Sequence, residues 1–164
     1  MNFIKESRKR LIDFLRASAI LMNYYIKNHK QVIWIVGDGR SGTTWLSEII
    51  NFDKKYRDMF EPFHPLMNQR MENLRTFQYI RPDSTNETFY QLSKDIFSGK
   101  FHNSRVDSQN FRLFYKGLII NDIFANLFIK WVDVNFSNVK KILIMRHPFA
   151  VSGFKKEIKK LVLA

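Results

Sequence analysis

Apolar residues along the chain form two kinds of pattern: a helical spacing, and short continuous runs that are typical of buried strands. Residues 3–29 carry large apolar side chains at helical spacing, opposite a face of Lys and Arg, which predicts one leading amphipathic helix. Residues 32–36 are a continuous apolar run that ends at Gly37, as in a buried parallel strand. Residues 139–145 have a similar pattern and end just before Arg146, so we expect a second buried strand there.

Helical patterns fill much of the chain between and after these strands. We expect helices from Thr43 to about Asn51, over 66–78, over 85–98 with a cap at Ser84 or Thr85, over 121–135 with Ile123, Leu127 and Val134 buried, and from about Pro148. The polar residues 99–110 indicate a loop, and residues 112–117 are a candidate for an additional strand of the sheet. This order predicts an α/β fold with a parallel sheet, in which ligands bind at the carboxyl ends of the strands.

Composition favours one folded domain with an anionic partner. The chain has 164 residues, is 45% hydrophobic and has a formal net charge of +12. We expect residues 1–30 to form the leading helix and residues 31–164 one α/β domain. A net charge this positive suits binding to nucleic acid, to an anionic membrane face or to a small polyphosphorylated ligand. The charge alone does not distinguish among these partners.

The sequence argues against disulfides, metal sites, membrane spans and a secretory signal. The absence of cysteine excludes disulfides and thiolate metal sites, and the four His residues show no metal-ligand spacing, so no metal is expected. No segment has the pattern of a membrane span or a secretory signal, and we expect a cytoplasmic protein. The basic leading helix is interpreted as docked or solvated, with peripheral membrane contact as the alternative.

The loop after the first strand carries the strongest chemical signal. Its sequence, Gly37-Asp38-Gly39-Arg40-Ser41-Gly42-Thr43-Thr44, has the two glycines of a P-loop at the right spacing, with Thr43 in place of the lysine. Backbone N–H groups, a helix N-terminus, two threonine hydroxyls and an arginine would still hold an oxyanion. Without the lysine that reaches the outer phosphates of a nucleoside triphosphate, ATP and GTP are poor candidates.

Residues 39–46, Gly-Arg-Ser-Gly-Thr-Thr-Trp-Leu, resemble the 5′-phosphosulfate-binding loop of the sulfotransferases that use 3′-phosphoadenosine 5′-phosphosulfate (PAPS). Residues 142–148, a strand that ends in Arg146, resemble the family's 3′-phosphate-binding element. The resemblance covers roughly residues 31–156 and implies a three-layer, P-loop-like fold with a central parallel sheet. The cofactor-binding residues that it implies are Gly39, Arg40, Ser41, Gly42, Thr43, Thr44, Trp45, Arg146 and Ser152.

The sequence departs from the family pattern after Arg146. Phe154 stands where the family usually has a serine that shares the 3′-phosphate, so Ser152 either substitutes for it or the contact is weakened. The chain also ends at Ala164, where the family's later elements should begin, and we expect the fold to be incomplete at the C-terminus.

Sulfuryl transfer needs a base for the acceptor hydroxyl, and Glu61, His64 and His147 are the candidates. Glu61 lies in Phe-Glu-Pro-Phe-His-Pro, which resembles the Glu-Pro segment of carbohydrate-type and bacterial sulfotransferases, so it is preferred, with His64 second. Arg40 is the predicted charge-stabilising residue, and Lys116 is a weaker candidate for a cation that faces the cofactor. The implied acceptor is a hydroxyl of a carbohydrate, lipid or small molecule, and no nucleic-acid partner is expected.

Three other interpretations remain open. A nucleotide kinase or NTPase would explain the strand, loop and helix, but not the missing lysine or the lack of a recognisable apolar strand that ends in Asp. A basic module that binds nucleic acid or membrane would explain the charge but not the loop. An inactive, truncated sulfotransferase would explain Phe154 and the early end at Ala164.

Overall fold

The computed structural model describes residues 2–27, 29–66, 71, 78–147 and 149–150. Its elements are α1 (Asn2–Tyr25), β1 (Gln31–Gly37), α2 (Thr43–Ile50), β2 (Tyr56–Phe60), α3 (Glu87–Phe97), β3 (Gly117–Asp122), a 3₁₀ turn (Asn126–Phe128), α4 (Ile129–Asn135) and β4 (Val139–Ile144). The four strands form one parallel sheet in the order β2-β3-β1-β4. The predicted α/β fold with a parallel sheet is therefore confirmed.

Helices cover both faces of the sheet, which explains why the two central strands, β1 and β3, are largely apolar on both sides. On one face, Val32, Trp34 and Val36 of β1 belong to a large aromatic core with α3 and α4. On the other face, Ile33 and Ile35 pack in a smaller cluster with Leu46 and Ile50 of α2. The central strand β1 is thus buried from both sides, and the loop that follows it leaves the sheet at its middle.

Most predicted elements are present, with shifted ends. Both predicted strands are present as β1 and β4, and the helix that begins at Thr43 is α2. The expectation that the second strand is buried is wrong, because β4 lies at the edge of the sheet and only Val139 is buried. The helix predicted over 85–98 is α3, but its cap is Asn86, whose side chain accepts the Phe89 N–H, rather than Ser84 or Thr85. The helices predicted over 66–78 and from Pro148, the second of which includes Ser152, fall almost wholly outside the described residues.

The region from 112 to 135 differs most from the prediction. The strand lies at Gly117–Asp122 rather than at 112–117, and the helix begins only at Ile129. Leu127 and Val134 are exposed rather than buried, because α4 turns Trp131 and Val132 toward the core instead. The sequence analysis also missed β2, in which two of five residues are charged.

One of those charges, Arg57, explains how a polar strand enters the sheet. Its guanidinium is fully buried and forms a bidentate ion pair with the equally buried Asp107, at 2.7 and 3.0 Å. It also donates to the carbonyl oxygens of Gly99 and Phe101, at 2.6 and 2.5 Å. These hydrogen bonds compensate the buried charge of Arg57. Because their acceptors all lie in the polar loop at 99–110, they also fix β2 to that loop.

The leading helix α1 docks through a narrow strip near its C-terminal end. Ala19, Ile20 and Asn23 are buried there, and the Asn23 side chain accepts the Tyr115 N–H at 2.9 Å. Arg16 donates to the Asn110 carbonyl oxygen at 3.1 Å. Among the described residues, no helix is both long and apolar enough to cross a bilayer.

Candidate functional site

The loop between β1 and α2 is closely folded around Gly37. A Cβ atom at Gly37 would lie 2.5 Å from Ser41 Oγ and 2.9 Å from the Ile144 carbonyl oxygen, so only glycine fits. Arg40 and Gly42 have positive φ angles of 72° and 106°. The Ser41 N–H donates to the Asp38 carbonyl oxygen at 3.0 Å, which closes the turn. With positive φ angles at Arg40 and Gly42, successive backbone N–H groups of the loop can point toward one anion.

The N-terminus of α2 opens directly from this loop. Gly42 stands at the cap position and provides no side-chain cap, so the first N–H groups of α2 are left for another acceptor. Thr43 is buried, and Trp45 points outward with 67% of its surface exposed. Within the described part of the chain, Ser41 Oγ is buried without a hydrogen-bond partner, as expected if an oxyanion normally accepts its proton. Gly39, in contrast, has no close neighbour that demands glycine.

Arg146 meets the loop from the neighbouring strand. Residue Ile144 of β4 pairs with Gly37 of β1, so the segment after β4 leaves the sheet beside the loop. The exposed Arg146 guanidinium donates from Nη1 to the Arg40 carbonyl oxygen at 3.4 Å. The structure thus brings together the two elements that the sequence analysis singled out.

Asn121 connects the loop to the Glu61 segment, and the sequence analysis missed it. Its side chain donates from Nδ2 to Thr44 Oγ1 at 3.2 Å, and its carbonyl oxygen accepts the Glu61 N–H at 2.7 Å. Asn121 is 2% exposed, and its Oδ1 is buried with no partner among the described residues. A buried asparagine directly before the end of an apolar strand was the available signal.

Glu61 follows β2 at the same edge of the sheet. It has a positive φ of 50°, and its pKa is raised because the carboxyl is partly buried, with the nearby Arg105 charge acting in the opposite direction. The adjacent Pro62 and Phe63 are buried and hold the turn in the core. A partly buried carboxylate on a rigid turn can serve as a proton acceptor.

The two histidine candidates occupy different surroundings. The His64 N–H donates to the Glu61 carbonyl oxygen at 3.0 Å, and the His64 ring lies 4.2 Å from the Phe124 ring. Burial, followed by the Arg105 charge, lowers the pKa of His64. His147 is exposed, and its Nδ1 accepts the Phe149 backbone N–H at 3.4 Å.

Strand β3, which pairs with β1, is an apolar strand that ends at Asp122. The sequence analysis was therefore wrong to find no such strand. The buried carboxylate of Asp122 accepts three backbone N–H groups, from Phe63 at 3.0 Å, Phe124 at 2.7 Å and Ala125 at 3.0 Å. Burial raises the pKa of Asp122 to about 7 in spite of these bonds, and the charge of Glu61 adds to the rise. The carboxylate therefore anchors the turn after Glu61.

Lys116 is not at the loop. It precedes β3, at the amino end of the strand, where its ammonium group lies 4.6 Å from the centre of the Tyr56 ring. Lys116 therefore lies at the opposite end of the sheet from the loop at 37–44, which follows the carboxyl end of β1. Among the described residues, no group of three or more His, Asp or Glu side chains is placed to hold a metal ion.

Comparison with known proteins gives no further assignment: no family model, no curated protein and no solved structure matches the chain.

Proposed function

We propose that the chain is a PAPS-dependent sulfotransferase of P-loop-like fold that transfers a sulfuryl group to a hydroxyl acceptor. The observation that carries the proposal is the 3.4 Å contact between Arg146 Nη1 and the carbonyl oxygen of Arg40. It joins a phosphate-type loop without a lysine to a second cationic group at the next strand. A ligand with two separate anionic groups, rather than one triphosphate, suits this arrangement.

In the proposed mechanism, the loop holds the 5′-phosphosulfate and Arg146 the 3′-phosphate. PAPS supplies an activated sulfuryl group. Backbone N–H groups at the start of α2, with Arg40, Thr43 and Thr44, stabilise negative charge on the leaving phosphate oxygen. Glu61 takes the proton of the acceptor hydroxyl while the acceptor oxygen bonds to sulfur and the bond from sulfur to the phosphate oxygen breaks. The products are a sulfate ester and adenosine 3′,5′-bisphosphate.

A nucleotide kinase or NTPase is the second candidate, since Asp122 ends an apolar strand next to β1. A magnesium-binding aspartate at that position would need free carboxylate oxygens. Both oxygens of Asp122 already accept backbone N–H groups. This engagement, together with Thr43 in place of lysine, favours the sulfotransferase.

Calorimetric titration tests the proposal directly. Adenosine 3′,5′-bisphosphate should bind more tightly than ATP, with and without magnesium. Equal or tighter binding of ATP would overturn the sulfotransferase assignment in favour of the kinase or NTPase. A transfer assay with labelled PAPS and a panel of sugars, lipids and phenols then separates an active enzyme from an inactive relative, which would bind the bisphosphate but transfer nothing.

A further inference from the structure

Helix α1 has an apolar face that is exposed along much of its length. The helix docks through Ala19, Ile20 and Asn23, which fall on one side at about 100° per residue. The opposite side carries large apolar side chains, and their exposed fractions are high: Leu11 57%, Phe14 68%, Leu15 58%, Leu21 43%, Met22 38% and Tyr25 75%. Their spacing of three or four residues places them on a single stripe about four turns long.

Ser18 lies within this stripe, and its hydroxyl is satisfied inside the helix. The Ser18 hydroxyl donates to the Phe14 carbonyl oxygen at 3.0 Å, so its donor would not be lost in an apolar environment. The stripe between Leu11 and Tyr25 therefore carries no charged side chain, and its other hydroxyl, on Tyr25, lies at its C-terminal end. Six large apolar side chains in one continuous patch on a charged protein mark an interaction surface rather than ordinary scattered exposure.

Basic residues border the stripe at its N-terminal end. Arg8 and Arg10 are exposed and fall on opposite sides of it, each about 80° from its centre. The acidic residues of α1, Glu6 and Asp13, lie toward the docked side of the helix and contact Arg10 and Arg16. A further cationic group borders the docked side, because Lys5, Lys9 and Arg105 line a cavity of about 480 Å³ between α1 and the 104–108 segment.

We propose that α1 is an interfacial helix that lies in the headgroup region of an anionic membrane, with the Leu11–Tyr25 stripe toward the acyl chains. An apolar face bordered by arginines is the composition that binds such surfaces, by burial of apolar area together with attraction to acidic lipids. The net charge of +12 supports the same partner.

Charge decides between this partner and the main competitor, a second copy of the chain. Two copies that met through their α1 stripes would join two molecules of charge +12, whichever way the two helices ran. An acidic lipid surface instead satisfies the apolar stripe and the cationic border at once. Nucleic acid would pair with the arginines but would leave Leu11, Phe14, Leu15 and Tyr25 in water.

The test is sedimentation of the full chain with vesicles of phosphatidylcholine alone and of phosphatidylcholine and phosphatidylserine in equal amounts. We expect binding to the anionic vesicles and much weaker binding to the neutral ones. Phe14→Ser should weaken the anionic binding by at least about tenfold, since it removes a large part of the inserted area. Arg8→Gln should weaken it by about fivefold and make it less sensitive to salt.

Matched controls separate this surface from general effects. Phe52→Ser changes a phenylalanine that is even more exposed than Phe14, at 82%, in the turn after α2, and Lys94→Gln removes a charge from α3. Both variants should bind as the unchanged chain does. Circular dichroism of each variant shows that the fold is retained. Equal binding to both kinds of vesicle, or no loss in Phe14→Ser, would overturn the proposal. Concentration-dependent dimerisation that Phe14→Ser abolishes, without vesicle binding, would assign the stripe to a second copy. None of these measurements uses PAPS, so their outcome is independent of whether the proposed enzymatic function is correct.

Discussion

Arg146 and Arg40 lie at the ends of two different strands, yet the guanidinium of the first donates to the carbonyl oxygen of the second at 3.4 Å. The contact exists because β1 and β4 are parallel neighbours and their carboxyl ends open on the same edge of the sheet. Two cationic side chains held at one edge, beside uncapped N–H groups, form a surface suited to a ligand with more than one anionic group.

The first prediction concerns this edge. Arg146→Ala should weaken the binding of adenosine 3′,5′-bisphosphate by about 1.5–3 kcal/mol, because a charged hydrogen-bond donor is lost. Calorimetry measures the change, and Arg81→Ala, an exposed arginine paired with Asp83, is the control that should leave binding unchanged. Ser152→Ala should matter less if Phe154 marks a weakened site, and equal, small effects of Arg146→Ala and Ser152→Ala would show that the 3′-phosphate assignment is wrong.

The second prediction concerns the base. Glu61→Gln keeps the shape of the side chain and removes its ability to accept a proton, so turnover should fall by roughly 10²–10⁴-fold while bisphosphate binding is retained. Because the pKa of Glu61 is raised by burial, turnover of the unchanged enzyme should fall on acidification at a pH above the ordinary titration of a glutamate. Labelled sulfuryl transfer across a pH series measures both effects. Unchanged turnover in Glu61→Gln would transfer the role to His64 or to water.

The third prediction uses the positive charge near Glu61. Arg105 lowers the pKa of Glu61 and opposes the effect of burial. Arg105→Gln should therefore raise the pKa of Glu61 further and move the acidic limb of the pH profile to higher pH. The control Arg81→Gln removes an arginine whose charge is already paired with Asp83, and its profile should not move. A shift toward lower pH in Arg105→Gln would contradict the proposed electrostatics.

The fourth prediction concerns stability. Asp107→Ala leaves the Arg57 charge buried without its carboxylate, which should reduce the free energy of unfolding by about 3–5 kcal/mol. Asp83→Ala removes the exposed partner of Arg81 and should change it by no more than about 1 kcal/mol. Urea unfolding followed by circular dichroism measures both variants. Similar small losses in the two would show that the buried pair does not fix β2 in the sheet.

The sequence predicted those parts of the fold whose local pattern already matches the final structure. Residues 32–36 could be recognised as a strand because a parallel strand buried on both faces is a continuous apolar run. Residues 139–145 could be recognised from their apolar residues, although β4 is an edge strand and is only partly buried. The glycine spacing at 37–42 likewise marks a local backbone requirement, which the close packing of Gly37 confirms.

The missed features depend on contacts between distant residues. The strand β2 contains Arg57 and Asp58, and only the approach of Asp107, 50 residues later, makes a buried arginine possible. The connection from Thr44 to Asn121 spans 77 residues, so no local pattern predicts that Asn121 joins the loop to Glu61. In the same way, periodicity showed that α1 is amphipathic but did not show that its apolar side turns away from the domain.

The central position of β1 also bears on how the protein is made. Of the four described strands, β1 comes earliest in the sequence, and it needs partners on both edges, which are supplied by Gly117–Asp122 and Val139–Ile144 much later in the sequence. Until then, an apolar strand with unpaired edges is exposed to aggregation. Pairing of residues so far apart also makes folding slow. The loop at 37–44 therefore reaches its final surroundings only after β4, the last of the described strands, has paired with β1.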